Sequence, residues 1–152
     1  MPQIPVTMRF PPDRPLVKVV DQAVADPAAG AGFQIVVPLG YRFKLVSMYF
    51  RLVLDANVLD RFVIVTFNTP SGTVYRFTHS SPLLAGETRF LTIATNVASL
   101  SWSPTIMTSI VPFPPDLTLE EGSVIDVTIT GIQVGDQISD INAQLLSQFT
   151  AE

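Results

Sequence analysis

The stretch from Pro38 to Asp55 constrains what this chain can fold into more than any other. Val46, Met48, Phe50, Leu52 and Leu54 are apolar, while Lys44, Ser47, Tyr49 and Arg51 break up the positions between them. Apolar residues recurring at every second position mark a strand with one face buried. Twelve extended residues reach roughly 40 Å at about 3.3 Å each, enough to cross the whole height of a small domain. The pattern predicts a central strand, with the remainder of the chain arranged to cover it.

A chain of 152 residues suits one domain. At this size folding buries roughly 68 % of the unfolded surface, so a core can hold the chain without covalent staples. There is no cysteine, hence no disulfide and no thiolate metal site, and no cofactor is expected. Hydrophobic residues make up 47 % of the chain and charged residues only 14 %. So few charges on so much apolar sequence predict that part of the surface is covered by partners, in an oligomer or a larger assembly. No run approaches the roughly 20 apolar residues that span a bilayer, and Met-Pro-Gln-Ile-Pro-Val lacks the basic and apolar regions of a signal peptide. Synthesis in the cytoplasm without a membrane partner is the expectation.

The net charge of −4 conceals an asymmetry. Residues 1–111 hold all nine Lys and Arg against six acids, a balance of +3, whereas residues 112–152 hold seven acids and no base, a balance of −7. A solvated acidic edge accounts for this, as do complementary ends that steer one subunit onto another. Dispersed bases do not form the concentrated basic surface that phosphate contact needs, which argues against nucleic acid as a partner.

Residues 1–32 read as an extended Pro-rich arm and residues 33–152 as the folded body. Six of the 13 prolines, Pro2, Pro5, Pro11, Pro12, Pro15 and Pro27, fall in the arm, where each fixes φ and removes a donor. A short strand at Leu16–Val20 and a helical turn from Asp21 to Ala25 are the local structures expected there. Ile4, Val6, Met8 and Phe10 are too apolar for a spacer and predict that the arm lies along another surface.

In the body, strands are expected at Phe33–Val37, over the long stretch, at Arg61–Thr69, Thr73–Thr78 and Thr88–Thr95, and at Leu100–Trp102 and Thr105–Val111. The loop Asn68-Thr69-Pro70-Ser71-Gly72 joins two of them as an antiparallel hairpin. Pro112–Asp116 reads as a rigid extended crossing. Ile125, Val127 and Ile129 are expected inward with Asp126, Thr128 and Thr130 outward. Gly131–Asp140 reads as a loop, and Ile141–Phe149 as a closing strand with Ile141, Ala143, Leu145 and Phe149 inward. Eight to ten strands with regularly spaced turns and no long helix predict an all-β fold, a single antiparallel β-sandwich; the long crossing favours a jelly-roll-like arrangement over a meander.

Catalytic chemistry is thinly supplied. His79 is the only histidine. Ser80 and Ser81 adjoin it, but consecutive side chains of a strand point to opposite faces, which excludes a neighbour as its nucleophile. Asp136, Asp140 and Asn142 lack the alternating spacing and distal Glu of a calcium loop, so turn formation and capping of backbone donors around Gly135-Asp136 is the expectation. No metal ligands and no catalytic residues are assigned. Trp102, with Tyr41, Tyr49 and Tyr75, fits either a sugar-stacking platform or packing in the core or at a subunit interface. The candidate interface residues are Ile4, Val6, Met8, Phe10 and Trp102.

Three segments, Pro38-Leu39-Gly40-Tyr41-Arg42-Phe43, Asp55-Ala56-Asn57-Val58-Leu59-Asp60-Arg61-Phe62 and Gly135-Asp136-Gln137-Ile138-Ser139-Asp140-Ile141, resemble turn motifs of the small all-β structural proteins of tailed bacteriophages. The resemblance covers roughly residues 35–149. It implies a non-enzymatic virion component, a capsid decoration (cement) protein on the capsid surface. Its implied partner is the major capsid protein, and its implied state a homo-oligomer, a trimer or dimer. The alternative within the virion is a head fibre, neck or tail protein with a glycan- or receptor-binding sandwich; a hydrolase is the alternative from another class.

Overall fold

The computed structural model describes residues 17–101 and 106–149. The described chain is all β, with ten strands: β1 (Val17–Ala23), β2 (Phe33–Val36), β3 (Tyr41–Val53), β4 (Val63–Thr69), β5 (Gly72–Thr78), β6 (Thr88–Thr95), β7 (Thr108–Phe113), β8 (Thr118–Leu119), β9 (Val124–Ile129) and β10 (Gln137–Phe149). They form two sheets. The larger runs β1-β10-β3-β6-β7 with β8 also paired to β3, and the smaller runs β2-β9-β4-β5.

The pairing is nested. β1 pairs with β10, β2 with β9, β3 with β6 and β4 with β5, all antiparallel, like rungs of one long hairpin. Curling that hairpin brings β10 against β3 and β9 against β4, and these pairs are antiparallel too. β3 is central in the larger sheet, as expected. One pair departs from the antiparallel expectation: β7 runs parallel to β6, because the chain between them returns to the end where β6 begins before β7 starts.

The core lies between the sheets. Met48, Phe50 and Leu52 of β3 face Val63, Val65 and Phe67 of β4 and Ile125 and Val127 of β9 across it, all with no exposed surface. Phe33 meets Phe50 edge-on with centroids 5.4 Å apart, and Phe67 packs on Phe113 at 4.5 Å. Each such side chain contributes about 1.5–3 kcal/mol by leaving water.

Two bulges correct the strict alternation read from the sequence. Along β3, Ser47 opposes Gln144 while Leu45 opposes Leu145, so Val46 is an extra residue on its strand. The bulge shifts the phase by one: Phe43 and Leu45 are buried below it, Met48 and Phe50 above it, and Val46 is only half-buried. Along β10 the register slips between Ser139 and Asn142, with Asp140 in the left-handed region at φ +53. Left-handed Asp is tolerated because its short polar side chain bonds locally.

Other boundaries also move. β10 starts at Gln137 rather than Ile141, and Asp21–Ala23 continue β1 instead of starting a helical turn. Pro112 and Phe113 belong to β7, where an edge position tolerates the missing N–H of proline. Phe149 is half exposed and leans on Tyr41, ring centroids 5.4 Å apart, at the end of the sandwich rather than in its core.

Candidate functional site

The candidate interface residues Ile4, Val6, Met8, Phe10 and Trp102 lie outside the described residues. The described part of the Pro-rich segment, however, is fixed to the body. β1 pairs with β10 from Val17↔Gln148 to Ala23↔Asn142, so residue 17 stands at the end of the sandwich that holds Tyr41 and Phe149.

The opposite end is built on Arg61. This residue precedes β4, and its side chain has no exposed surface. The guanidinium meets Asp55, on the turn leaving β3, and Asp136, on the turn entering β10; Nε lies 2.9 Å from Asp136 Oδ2, and Asp136 is also fully buried. Neither carboxylate is spent on the arginine alone. Asp136 accepts the backbone N–H of Asp55 at 2.9 Å and of Gln133 at 2.7 Å, and Asp55 accepts Asn57 N–H at 3.1 Å and its Nδ2 at 2.7 Å. The expected capping role of Asp136 is therefore present, with an ion pair added.

Backbone bonds then gather the surrounding loops onto this group. Leu83 N–H donates to the Arg61 carbonyl at 2.7 Å, Gly86 N–H to the Asp55 carbonyl at 2.7 Å and Gly30 N–H to the Asp136 carbonyl at 2.7 Å. Gly135 approaches so closely that a Cβ there would stand 2.8 Å from Asp55 Cβ. Buried charges need pairing and hydrogen bonds together; here the pairing is present and the two carboxylates are hydrogen-bonded, whereas Arg61 Nε and Nη1 are buried without a hydrogen bond. The product is a rigid base for four loops.

On that base stand exposed apolar side chains. Val58 and Val134 are 94 % and 84 % exposed, and Leu59 and Leu84 close to half. Single exposed valines are ordinary; four large apolar residues carried by loops that converge on one buried ionic group make a preformed apolar rim. What it can do chemically is adhere.

His79 lies elsewhere and is buried. Its partner is Ser109 of β7, with Nε2 and Oγ 2.5 Å apart. Ser109 Oγ donates to the Leu100 carbonyl at 2.7 Å, which leaves the hydroxyl to accept from Nε2–H, and Nδ1 accepts Ser81 N–H at 3.1 Å. A general base would need the opposite direction, with serine donating to the ring. This polar cluster ties the end of β5 to β7. Burial holds the imidazole below its usual pKa, with the Ser81 backbone contact pulling the other way.

Asp140 pairs with Arg51 at 3.3 Å, apart from Asp136, and among the described residues no group of three or more His, Cys, Asp or Glu is arranged to hold a metal. Sequence reasoning missed both Ser109 as the partner of His79 and the Arg61 group. A signal for the second existed: a lone arginine at the start of an apolar strand, with aspartates on two turns.

Comparison with known proteins found no matching family model and no matching curated relative.

Proposed function

We propose that this chain is a non-enzymatic structural protein of a virion, a capsid decoration protein that stabilises a phage head by bridging coat subunits. The observation that carries the reading is the apolar rim of Val58, Leu59, Leu84 and Val134 standing on the buried Arg61 group. Preorganised loops lose little entropy on docking, so their apolar area converts efficiently into affinity. The nested strand pairing supports a jelly roll, the double-sheet form common in capsid and lectin domains. β1 begins at the end of the sandwich opposite the rim, so the body offers two separated ends, which suits a bridge.

The test is co-sedimentation of the full chain with assembled coat shells of its phage. Val58→Asp with Val134→Asp, both on exposed tips, should weaken binding at least about tenfold while leaving the melting temperature unchanged. Binding equal to the wild type would overturn the role of the rim.

A second reading, a head fibre, neck or tail component that binds a glycan, draws on one feature. A cavity of about 260 Å³ between β5 and β7 is lined by the hydroxyl residues Thr78, Ser80, Ser99 and Ser101. A glycan-array signal lost on Ser101→Ala would favour it.

A further inference from the structure

We infer that the outer edge of β5 is a docking site for an extended segment of another protein, which joins the four-stranded sheet as a further strand and sets an acidic side chain against Arg76. The inference deepens the decoration reading by naming a second contact besides the rim, and it rests on that reading's premise that the body binds another protein.

The ladder decides which backbone groups are free. β5 ends the smaller sheet and pairs only with β4. His79 N–H, just past β5, donates to the Val63 carbonyl at 2.8 Å, and along an antiparallel pair the residues that bond across alternate with residues that bond away. Phe77 and Tyr75 therefore turn their backbone groups to β4, while the N–H and C=O of Arg76 and Thr78 point outward. Among the described residues no strand meets them. Groups so spaced match the backbone of an extended chain.

The other edges of the two sheets are closed by their own residues. β2 is four residues long, Ile110 of β7 exchanges both backbone bonds with Leu100 at 2.8 and 2.9 Å, and β1 carries Lys18 on its inward register, opposite buried Ser147. Shortness, cover and an inward charge are devices that keep an edge from pairing. Residues 75–78 have none of the three: Tyr75 and Phe77 point inward and pack against the core.

Charge then selects the occupant. Arg42, Lys44, Arg51, Arg61 and Arg89 each meet a carboxylate, but the exposed Arg76 forms no ion pair among the described residues. Two β5 edges joined by a two-fold would set Arg76 opposite Arg76 or diagonal to it, like charge beside like. A strand with Asp or Glu opposite Arg76 gains where a second copy loses. Inward side chains of that strand meet the cavity of about 260 Å³ beside this edge, where Phe77 and Thr78 form one wall and residues 99–101 with Ile110 and Pro112 the other. None of its described lining residues is Asp, Glu, Lys or Arg, so the inward positions take uncharged residues.

A random library of short linear peptides, selected on the immobilised full chain, tests the inference. The expected winners carry Asp or Glu with uncharged residues on either side of it. Their dissociation constants should rise at least about tenfold for Arg76→Glu and for Thr78→Pro, which deletes an outward N–H and no bond of the β4–β5 ladder, and hold for Thr78→Val, which keeps that N–H. Should Thr78→Pro fail to fold, methylating the amides of a selected peptide one at a time decides, since loss at every second position marks an added strand. A library that enriches nothing over Arg76→Glu, or peptides indifferent to folded Thr78→Pro or to amide methylation, would overturn the inference. On coat shells, hydrogen exchange at the Arg76 and Thr78 amides should slow at least about tenfold. Shells bound with both amides still exchanging freely would overturn the inference and leave the decoration reading standing. Shells left unbound by a chain that captures such peptides would overturn the decoration reading alone.

Discussion

The two ends of the sandwich are held by the same chemical groups with opposite consequences. At the end where β3 begins, Arg42 pairs with Glu120 at 2.5 Å and Lys44 with Asp116 at 3.4 Å, and Glu121 accepts the N–H of Gly40 at 2.8 Å. All these side chains are between about one third and fully exposed. At the end where β3 finishes, Arg61, Asp55 and Asp136 form an ion group with almost no access to water. Water screens the first set to within about 1 kcal/mol of no effect. Burial makes the second intolerant of losing any member, since the charge left behind has nowhere to be solvated. What separates a latch from a decoration is dielectric surroundings, not the identity of the pair.

That comparison breaks most visibly at Arg61. Arg61→Ala leaves Asp136 buried and unpaired and should cost about 3–5 kcal/mol in urea unfolding, with the exposed loops loosened as well. A loss under about 1 kcal/mol would place this group on a par with the exposed one. Gly135→Ala presses a methyl group 2.8 Å from Asp55 Cβ and should cost about 1–3 kcal/mol, read as a lower denaturation midpoint at unchanged slope.

His79 sharpens the comparison from a third place, since it is buried without charge. Burial lowers its pKa below the ordinary 6.5, so below that pH the unfolded chain takes up a proton that the folded chain resists. More protons on the unfolded state mean that stability, full above about 6.5, declines as pH falls towards the lowered value. His79→Leu should abolish that decline and, by leaving Ser81 N–H without its acceptor, cost about 1–3 kcal/mol at pH 7. Equal pH slopes for the two proteins between pH 5 and 6.5 would count against a neutral buried ring. The smallest effect belongs to the exposed end: Arg42→Gln should change stability by no more than about 1 kcal/mol, and by less still in high salt.

The core was legible because burial obeys periodicity. The alternation of β9 and of β3 above its bulge placed Ile125, Val127, Met48, Phe50 and Leu52 correctly. Below the bulge the same rule misassigned Val46, since an extra residue inverts the phase and no single side chain announces it. Phe149 misled for a different reason: its position on the alternating face was right, but the sandwich ends before it. The parallel course of β7 was hidden in a connection whose direction no local signal gives.

The candidate site was legible only in pieces. Asp55, Arg61 and Asp136 fall within turn segments visible in the sequence, yet their meeting depends on residues 81 apart in the chain being brought within hydrogen-bond reach. Ser109 lies 30 residues from His79 and became its partner only when β7 was laid beside β6.

By itself the sequence determined that this protein is all β, which faces of its strongest strands are apolar, and that no cysteine would help to hold it, because period, turn residues and composition act over a few neighbours. Only the tertiary structure decided which charges are buried, which partner His79 receives and which apolar residues remain on the outside. Those depend on pairings between distant strands, and the free energy of a charge or a methyl group is set by what finally surrounds it.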